Sequence, residues 1–141
     1  MNNFFNVLFK LSRKSGIFNF LLRIMCNCDI PRKLKLGENV SFPHFAFGVV
    51  IHPDAIIENN VCVQHHVLIG EKNGCGAPII HDNVIINPYS IIIGNVDIGE
   101  NVVIGAGSVV TKSIPANSVY YNEIIPVIKS IDDKEYDRIT K

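Results

Sequence analysis

Between Ile80 and Val110 the chain repeats itself every six residues. Aliphatic residues stand at Ile80, Ile86, Ile92, Ile98, Ile104 and Val110, and Val84, Ser90, Val96, Val102 and Ser108 follow the first five by four positions. A period of six fits neither the 3.6 of a helix nor the 2.0 of a two-faced strand, and short fixed periods of this kind mark β-solenoids. Each six then makes one short strand and one turn. The aliphatic residue points inward, the small or β-branched one packs beside it, and Gly, Asn or Asp accepts the turn geometry, as in Ile98-Gly99-Glu100-Asn101. Three sixes close a triangular coil, so residues 18 apart should stack, Ile80 on Ile98 and Ile86 on Ile104. The expected fold is an all-β solenoid of about four to five coils, whose core comes from stacking because a single coil buries little.

The same frame extends upstream with two slips. It runs Ile30, Leu36, Phe42, then after three extra residues Ile51, Ile57, Val63 and Ile69, then after five more reaches Ile80. The slips fall in HFAFGVV (residues 44–50) and GEKNGCGAPI (residues 70–79). A regular repeat has no structural need of such interruptions, so these loops are where chemistry is expected. Downstream, the array is expected to end near Ser113-Ile114-Pro115, since proline cannot extend a ladder. An extended return segment and a short exposed C-terminal helix should follow. This divides the chain into a helical segment (1–28), the solenoid (29–118) and a return segment with tail (119–141).

Residues 3–27 read as helix split at Ser15-Gly16, with wide apolar faces. Two roles are open for it. One is packing on the end of the solenoid or against a neighbouring subunit; the other is peripheral contact with an anionic membrane, because residues 1–28 carry Lys10, Arg13, Lys14 and Arg23 and no acid. Those charges also interrupt any run long enough to span a bilayer. The 141 residues carry 13 basic and 13 acidic side chains, a formal charge of zero that gives no reason to expect nucleic acid as a partner. Cys26, Cys28, Cys62 and Cys75, in a chain without a recognisable secretory signal, suggest free thiols in a reducing compartment. The expected location is cytoplasmic, or peripheral at the inner face of the membrane.

With repeats and loops in view, the chain resembles the left-handed β-helix hexapeptide-repeat acyltransferases, in their serine acetyltransferase-like branch. The resemblance spans about residues 29–131 and is carried by HFAFGVVIHPDAIIENNV, the loop ending GAPII, and IGENVVIGAGSVVTKSIPANSV. It implies left-handed coils, an exception to the usual crossover preference, and homotrimers with active sites between subunits. It also places His44 on the family's catalytic histidine and Asp29, fifteen residues earlier, on its acidic partner. The residues agree with this: His44 opens the first slip and should project from the coil, and Asp29 lies about one coil below it. An imidazole is a suitable base for an alcohol at neutral pH, and a carboxylate on its other nitrogen fixes the tautomer.

The resemblance further implies acetyl-CoA as co-substrate, lying near Gly70, Pro88, Gly105, Ala106 and Lys112, with the lysine on a phosphate. Pro88 has no N–H to offer there. Two departures bear on the acceptor. Pro43 and Ala77 stand where serine acetyltransferases carry an aspartate and a histidine that help hold the amino acid, and only about 28 residues replace their large helical domain. The similarity that remains is to the small acetyltransferases of surface-polysaccharide assembly, whose acceptors are sugar hydroxyls. His65 and His66, with Ala77, are candidates for lining the acceptor pocket of a neighbouring subunit, or they decorate a coil face; His52 and His81 read as structural or surface groups.

The expected activity is therefore O-acetyl transfer from acetyl-CoA to a hydroxyl of a small acceptor, with serine O-acetyl transfer as the alternative. Two further readings compete. A zinc enzyme on the same fold would need three histidines around one ion, and no histidine follows His81 to complete such a set with His44, so no metal is expected. A non-enzymatic scaffold would bind no coenzyme A.

Overall fold

The computed structural model describes residues 3–123. The chain begins with two helices, α1 (Asn3–Lys14) and α2 (Gly16–Cys26), followed by twelve strands of two or three residues. These are β1 (Lys35–Leu36), β2 (Val50–Ile51), β3 (Ile56–Ile57), β4 (Cys62–Val63), β5 (Leu68–Gly70), β6 (Ile79–Ile80), β7 (Ile85–Ile86), β8 (Ile91–Ile93), β9 (Asp97–Ile98), β10 (Val103–Ile104), β11 (Val109–Val110) and β12 (Val119–Tyr120). A six-residue repeat that must also turn a corner leaves room for no longer strand. The strands form three parallel sheets, β1-β3-β6-β9, β4-β7-β10-β12 and β2-β5-β8-β11, here called faces 1, 2 and 3. The chain visits them in rotation as a left-handed parallel β-helix.

The register reproduces the sequence frame. Ile80 pairs with Ile98 and Ile86 with Ile104, each 18 apart. Leu36 pairs with Ile57 and Ile57 with Ile80, separations lengthened by the three and five residues of the two loops. Face 2 has four strands, and Ser41 bridges to Cys62 as a further rung, giving five coils at that face. Inside, Ile57, Ile80 and Ile98 form one row, Val63, Ile86 and Ile104 a second, and Ile69, Ile92 and Val110 a third, all fully buried. Each such side chain contributes roughly 1.5–3 kcal/mol by leaving water.

The ladder does not stop at Pro115. Ile114 bridges to Ile98, and β12 pairs with β10 through Val103 and Val119. The step from Ile98 to Ile114 is two residues shorter than the regular step from Ile80 to Ile98, and Pro115 opens the corner that follows. In earlier coils the N–H at that place donates to the next rung, as Glu58 does to Ile80 and His81 to Ile98. Among the described residues no rung of face 1 follows Ile114, so the missing N–H of Pro115 costs the ladder nothing. The expected C-terminal helix, and the return segment from residue 124 on, lie outside the described residues.

The helices pack on the first coil through Phe5, Leu8, Leu22 and Cys26, which join the same buried cluster as Ile30, Leu34 and Phe42. Polar clasps fix them there. The Arg13 guanidinium donates to the Pro31 and Leu34 carbonyls at 3.0 and 2.6 Å, and Asn19 donates to the Ile30 carbonyl at 3.1 Å. Of the two roles open for this segment, its inner face thus fulfils the first. Its outer face leaves Ile17, Phe20 and Ile24 exposed. No described helix is long and apolar enough to cross a membrane.

Candidate functional site

The corner between faces 2 and 3 carries most of the candidate residues. Its turns are Pro43–Ala46, Gln64–His66, Asn87–Tyr89 and Gly105–Gly107 in successive coils. Each places a residue in the left-handed backbone region: His66 (φ 56°), Tyr89 (φ 62°) and Gly107 (φ 68°). The first turn goes further, with His44, Phe45 and Ala46 at φ 53°, 59° and 56°. For side chains other than glycine this region costs about 1–2 kcal/mol per residue. The turn holds because Phe42 and Ala46 are anchored in the core at its two ends, and the Phe47 N–H donates to the His44 carbonyl at 3.1 Å. His44 is consequently pushed out of the coil, exposed, on a constrained backbone.

Above it the rings stack from coil to coil. His65 meets His44 edge-on with ring centroids 5.0 Å apart, and His66 lies flat on Tyr89 at 4.8 Å. Phe47 meets His66 edge-on, with ring centroids 5.3 Å apart. Gly48 permits this approach: at φ 69°, a Cβ on it would lie 2.2 Å from the His66 Nδ1. The Nδ1 of His65 is buried and has no partner among the described residues.

Beneath these histidines lies a cavity of about 750 Å³, lined by Phe5 and Leu8 of α1, Met25 and Cys26 of α2, Phe45 and Phe47 of the first turn, and His44 and His65. None of these side chains is a carboxylate, a lysine or an arginine. Cys26 adds only a neutral thiol, whose pKa burial raises. The sequence frame singles out the two histidines but not the helical residues. Their apolarity was visible, yet nothing in a six-residue period says which turn a preceding helix will meet.

The expected contact between Asp29 and His44 is not made. Asp29 sits on the outer side of face 3, bridged to Val50, and its Oδ2 accepts from the Arg23 guanidinium at 2.5 Å. Among the described residues no hydrogen bond or ion pair joins it to His44. The reason is the α2 helix, which delivers a cation to the carboxylate that the coil pattern alone would leave free.

The residues expected along coenzyme A divide between two corners. Pro88, Gly105 and Ala106 lie at the histidine-bearing corner; Gly70 and Lys112 lie at the next, across face 3. Gly105 also serves the fold, since its N–H donates to the Tyr120 carbonyl at 2.7 Å and a Cβ there would press on the Tyr121 side chain at 3.1 Å. The Pro88 carbonyl accepts from the Gly107 N–H. Ala106 and Lys112 are exposed. Ala77 packs partly against the core at the corner of Gly70, so within one chain it is not beside His65 and His66. Among the described residues no three His, Cys, Asp or Glu side chains cluster as metal ligands, and His44 and His81 occupy different corners.

Residues 77–112 match the family described as bacterial transferase hexapeptide (six repeats). No curated protein matches the chain by sequence. Among solved structures, it is similar to the serine acetyltransferase of Brucella abortus strain S19, at 31% identity and a TM-score of 0.69 over 85% of this chain and 50% of that one. It is similar as well to the Neisseria gonorrhoeae serine acetyltransferase solved in complex with serine, at 33% identity and a TM-score of 0.65 over 78% and 47% of the two chains. A third, a serine acetyltransferase in complex with CoA, shares 26% identity at a TM-score of 0.67 over 84% and 50%. The chain spans about half the length of these enzymes.

Proposed function

We propose that this chain is an acetyl-CoA-dependent O-acetyltransferase in which His44 is the general base. The observation that carries this is the placement of His44: exposed on a strained turn, edge-on to His65, at the wall of a cavity large enough for an organic acceptor. His44 takes the proton of the acceptor hydroxyl as its oxygen attacks the thioester carbonyl. The C–S bond then breaks, and the coenzyme A sulfur leaves with the proton that His44 returns. Backbone amides near Ala106 would stabilise the oxyanion, and holding donor and acceptor together supplies the proximity that makes a covalent enzyme intermediate unnecessary. Asp29 can support the imidazolium once it turns from Arg23; that ion pair is exposed, and such pairs are worth only about 0–1 kcal/mol.

Donor residues on two corners are reconciled if copies of the chain assemble as a trimer. Face 3 presents Val50, Leu68, Ile91 and Val109 as an exposed apolar row in register, which suits burial against a second copy. Such packing could bring Gly70, Ala77 and Lys112 of one subunit to the histidines of another. The basic helical segment, with its exposed Ile17, Phe20 and Ile24, suits peripheral contact with an anionic membrane.

For the acceptor, a hydroxyl of a sugar in surface-polysaccharide assembly is favoured over serine. Pro43 and Ala77 offer no charge where the resemblance expects an aspartate and a histidine, and the cavity lining has no group to clamp an amino acid's carboxylate or ammonium. The serine reading keeps its support from the solved structures named above. Free-thiol release from acetyl-CoA with serine and with a panel of hexoses and N-acetylhexosamines separates them. A kcat/KM for serine above that of every sugar would reverse the preference, and thiol release with no acceptor would remove acyl transfer to either.

A further inference from the structure

The cavity under His44 has an apolar character that neither a sugar nor serine explains. We propose that it receives the apolar portion of an amphipathic acceptor, whose hydroxyl-bearing head lies at His44 and His65 and whose chain or ring system lies among Leu8, Met25, Phe45 and Phe47. The inference rests on the acyl-transfer reading for the head group and deepens it by naming the class of compound that carries the hydroxyl.

Three observations support the assignment. The cavity measures about 750 Å³, within the range of roughly 300–1,000 Å³ typical of sites for organic ligands, far more room than a free amino acid needs. Its lining is aliphatic and aromatic, with polar atoms gathered at the two imidazoles and the Cys26 thiol. Finally, Met25, Phe45 and Phe47 are respectively 56%, 45% and 45% exposed, so large apolar side chains stand uncovered at its mouth. One chemistry, a hydrocarbon surface joined to a polar head, satisfies all three.

The position of the cavity identifies the acceptor rather than a long acyl group as its occupant. Along the histidine corner the order of turns is Pro43–Ala46, Gln64–His66, Asn87–Tyr89 and Gly105–Gly107. Pro88 and Ala106, expected along the donor, lie on the C-terminal side of the two histidines. The cavity lies on their helical side, against α1 and α2. With the donor placed along Pro88 and Ala106, as the acyl-transfer reading has it, donor and apolar group approach His44 from opposite sides.

The test uses the full chain and a matched pair of acceptors, methyl and octyl β-D-glucoside, the latter below its micelle concentration. Burial of only three methylenes corresponds to a preference on the order of fiftyfold. Octyl glucoside should accordingly raise Tm where methyl glucoside at equal concentration does not, and kcat/KM for acetyl transfer should favour the octyl compound by at least about thirtyfold. Met25→Glu, at a side chain exposed enough to leave folding intact, should abolish both preferences, and Met25→Leu should retain them. An equal response to the two glucosides, or an octyl preference untouched by Met25→Glu, overturns the proposal. So does a preference for octanoyl-CoA over acetyl-CoA that the same variant removes, since the chain would then be the donor's. Met25-dependent binding of octyl glucoside without turnover of any acceptor would retain the apolar site and refute the catalytic reading. Turnover of both glucosides at equal efficiency would do the reverse.

Discussion

Two corners of the same coil use the same backbone for opposite ends. The corner between faces 1 and 2 places Asn39, Asn60, Asn83, Asn101 and Asn117 at its left-handed position, with φ between 56° and 60°. Their side-chain amides form a continuous ladder, each donating to the next at 3.1, 3.2, 3.1 and 2.9 Å. Asparagine accepts this conformation because its short polar side chain bonds locally, so the corner is relaxed and repetitive. At the next corner the equivalent places hold His66, Tyr89 and Gly107, preceded by the three-residue left-handed turn at His44. Rings replace amides at positions where rings are costly. Strain kept at one corner and absent from its geometric twin is the pattern that motivates the proposal of a site there.

The contrast breaks most easily at His44. His44→Ala should lower kcat by about 10²–10⁴, the usual contribution of a positioned general base, while acetyl-CoA still raises Tm by mass action. Unchanged turnover would make the strained turn a structural oddity. Asp29→Asn should cost about tenfold in kcat if the carboxylate turns to His44 in the working complex, whereas Arg23→Met should not reduce it. Equal loss in both variants would confine Asp29 to fastening α2.

The twin corner should respond in stability alone. Asn83→Ala removes two ladder hydrogen bonds and leaves a left-handed backbone without its local partner, a loss of about 1–2 kcal/mol or a fall in Tm of some 3–6 °C, with kcat unchanged. Tyr89→Asn makes the opposite trade. It places asparagine at φ 62° and removes the ring stacked on His66, so stability should hold or rise by up to about 1 kcal/mol while kcat/KM falls. Thermal denaturation alongside turnover checks both. A stability loss in Tyr89→Asn as large as that in Asn83→Ala would erase the distinction between the corners.

What the amino-acid pattern reveals and hides follows from this. Inward rows are dictated residue by residue, so Ile80, Ile86, Ile98 and Ile104 are legible to the exact stacking partner. The slip at residue 44 is legible too, because inserting residues displaces the frame. Pro115 misled, since a missing N–H matters only where a following rung would use it. Arg23 and Met25 were legible as helical residues and not as neighbours of Asp29 and His44. Such contacts depend on how a non-repeating helix docks onto the first coil, and no period encodes that. The cavity, half helix and half turn, is hidden for the same reason.

The smallest expected effect concerns a histidine on the asparagine side. His81 lies between two carboxylates, with Nδ1 2.9 Å from Glu58 Oε2 and Nε2 3.1 Å from Asp97 Oδ1. The hydrogen bond to Glu58, aided by Asp97, raises its pKa above the ordinary histidine value despite some loss of hydration. A group whose folded pKa exceeds its unfolded one adds stability that is complete below the unfolded value, near 6.5, and disappears as pH rises through the folded value. With Glu58 and Asp97 side chains 40% and 57% exposed, water screens the cluster and the gain should stay under about 1 kcal/mol. The Tm difference between the native chain and His81→Gln should accordingly be largest near pH 6 and shrink toward pH 8.5, while kcat is unaffected at either end. A difference that grows with pH would reverse the sign, and one accompanied by lost turnover would tie His81 to the chemistry proposed for the His44 corner.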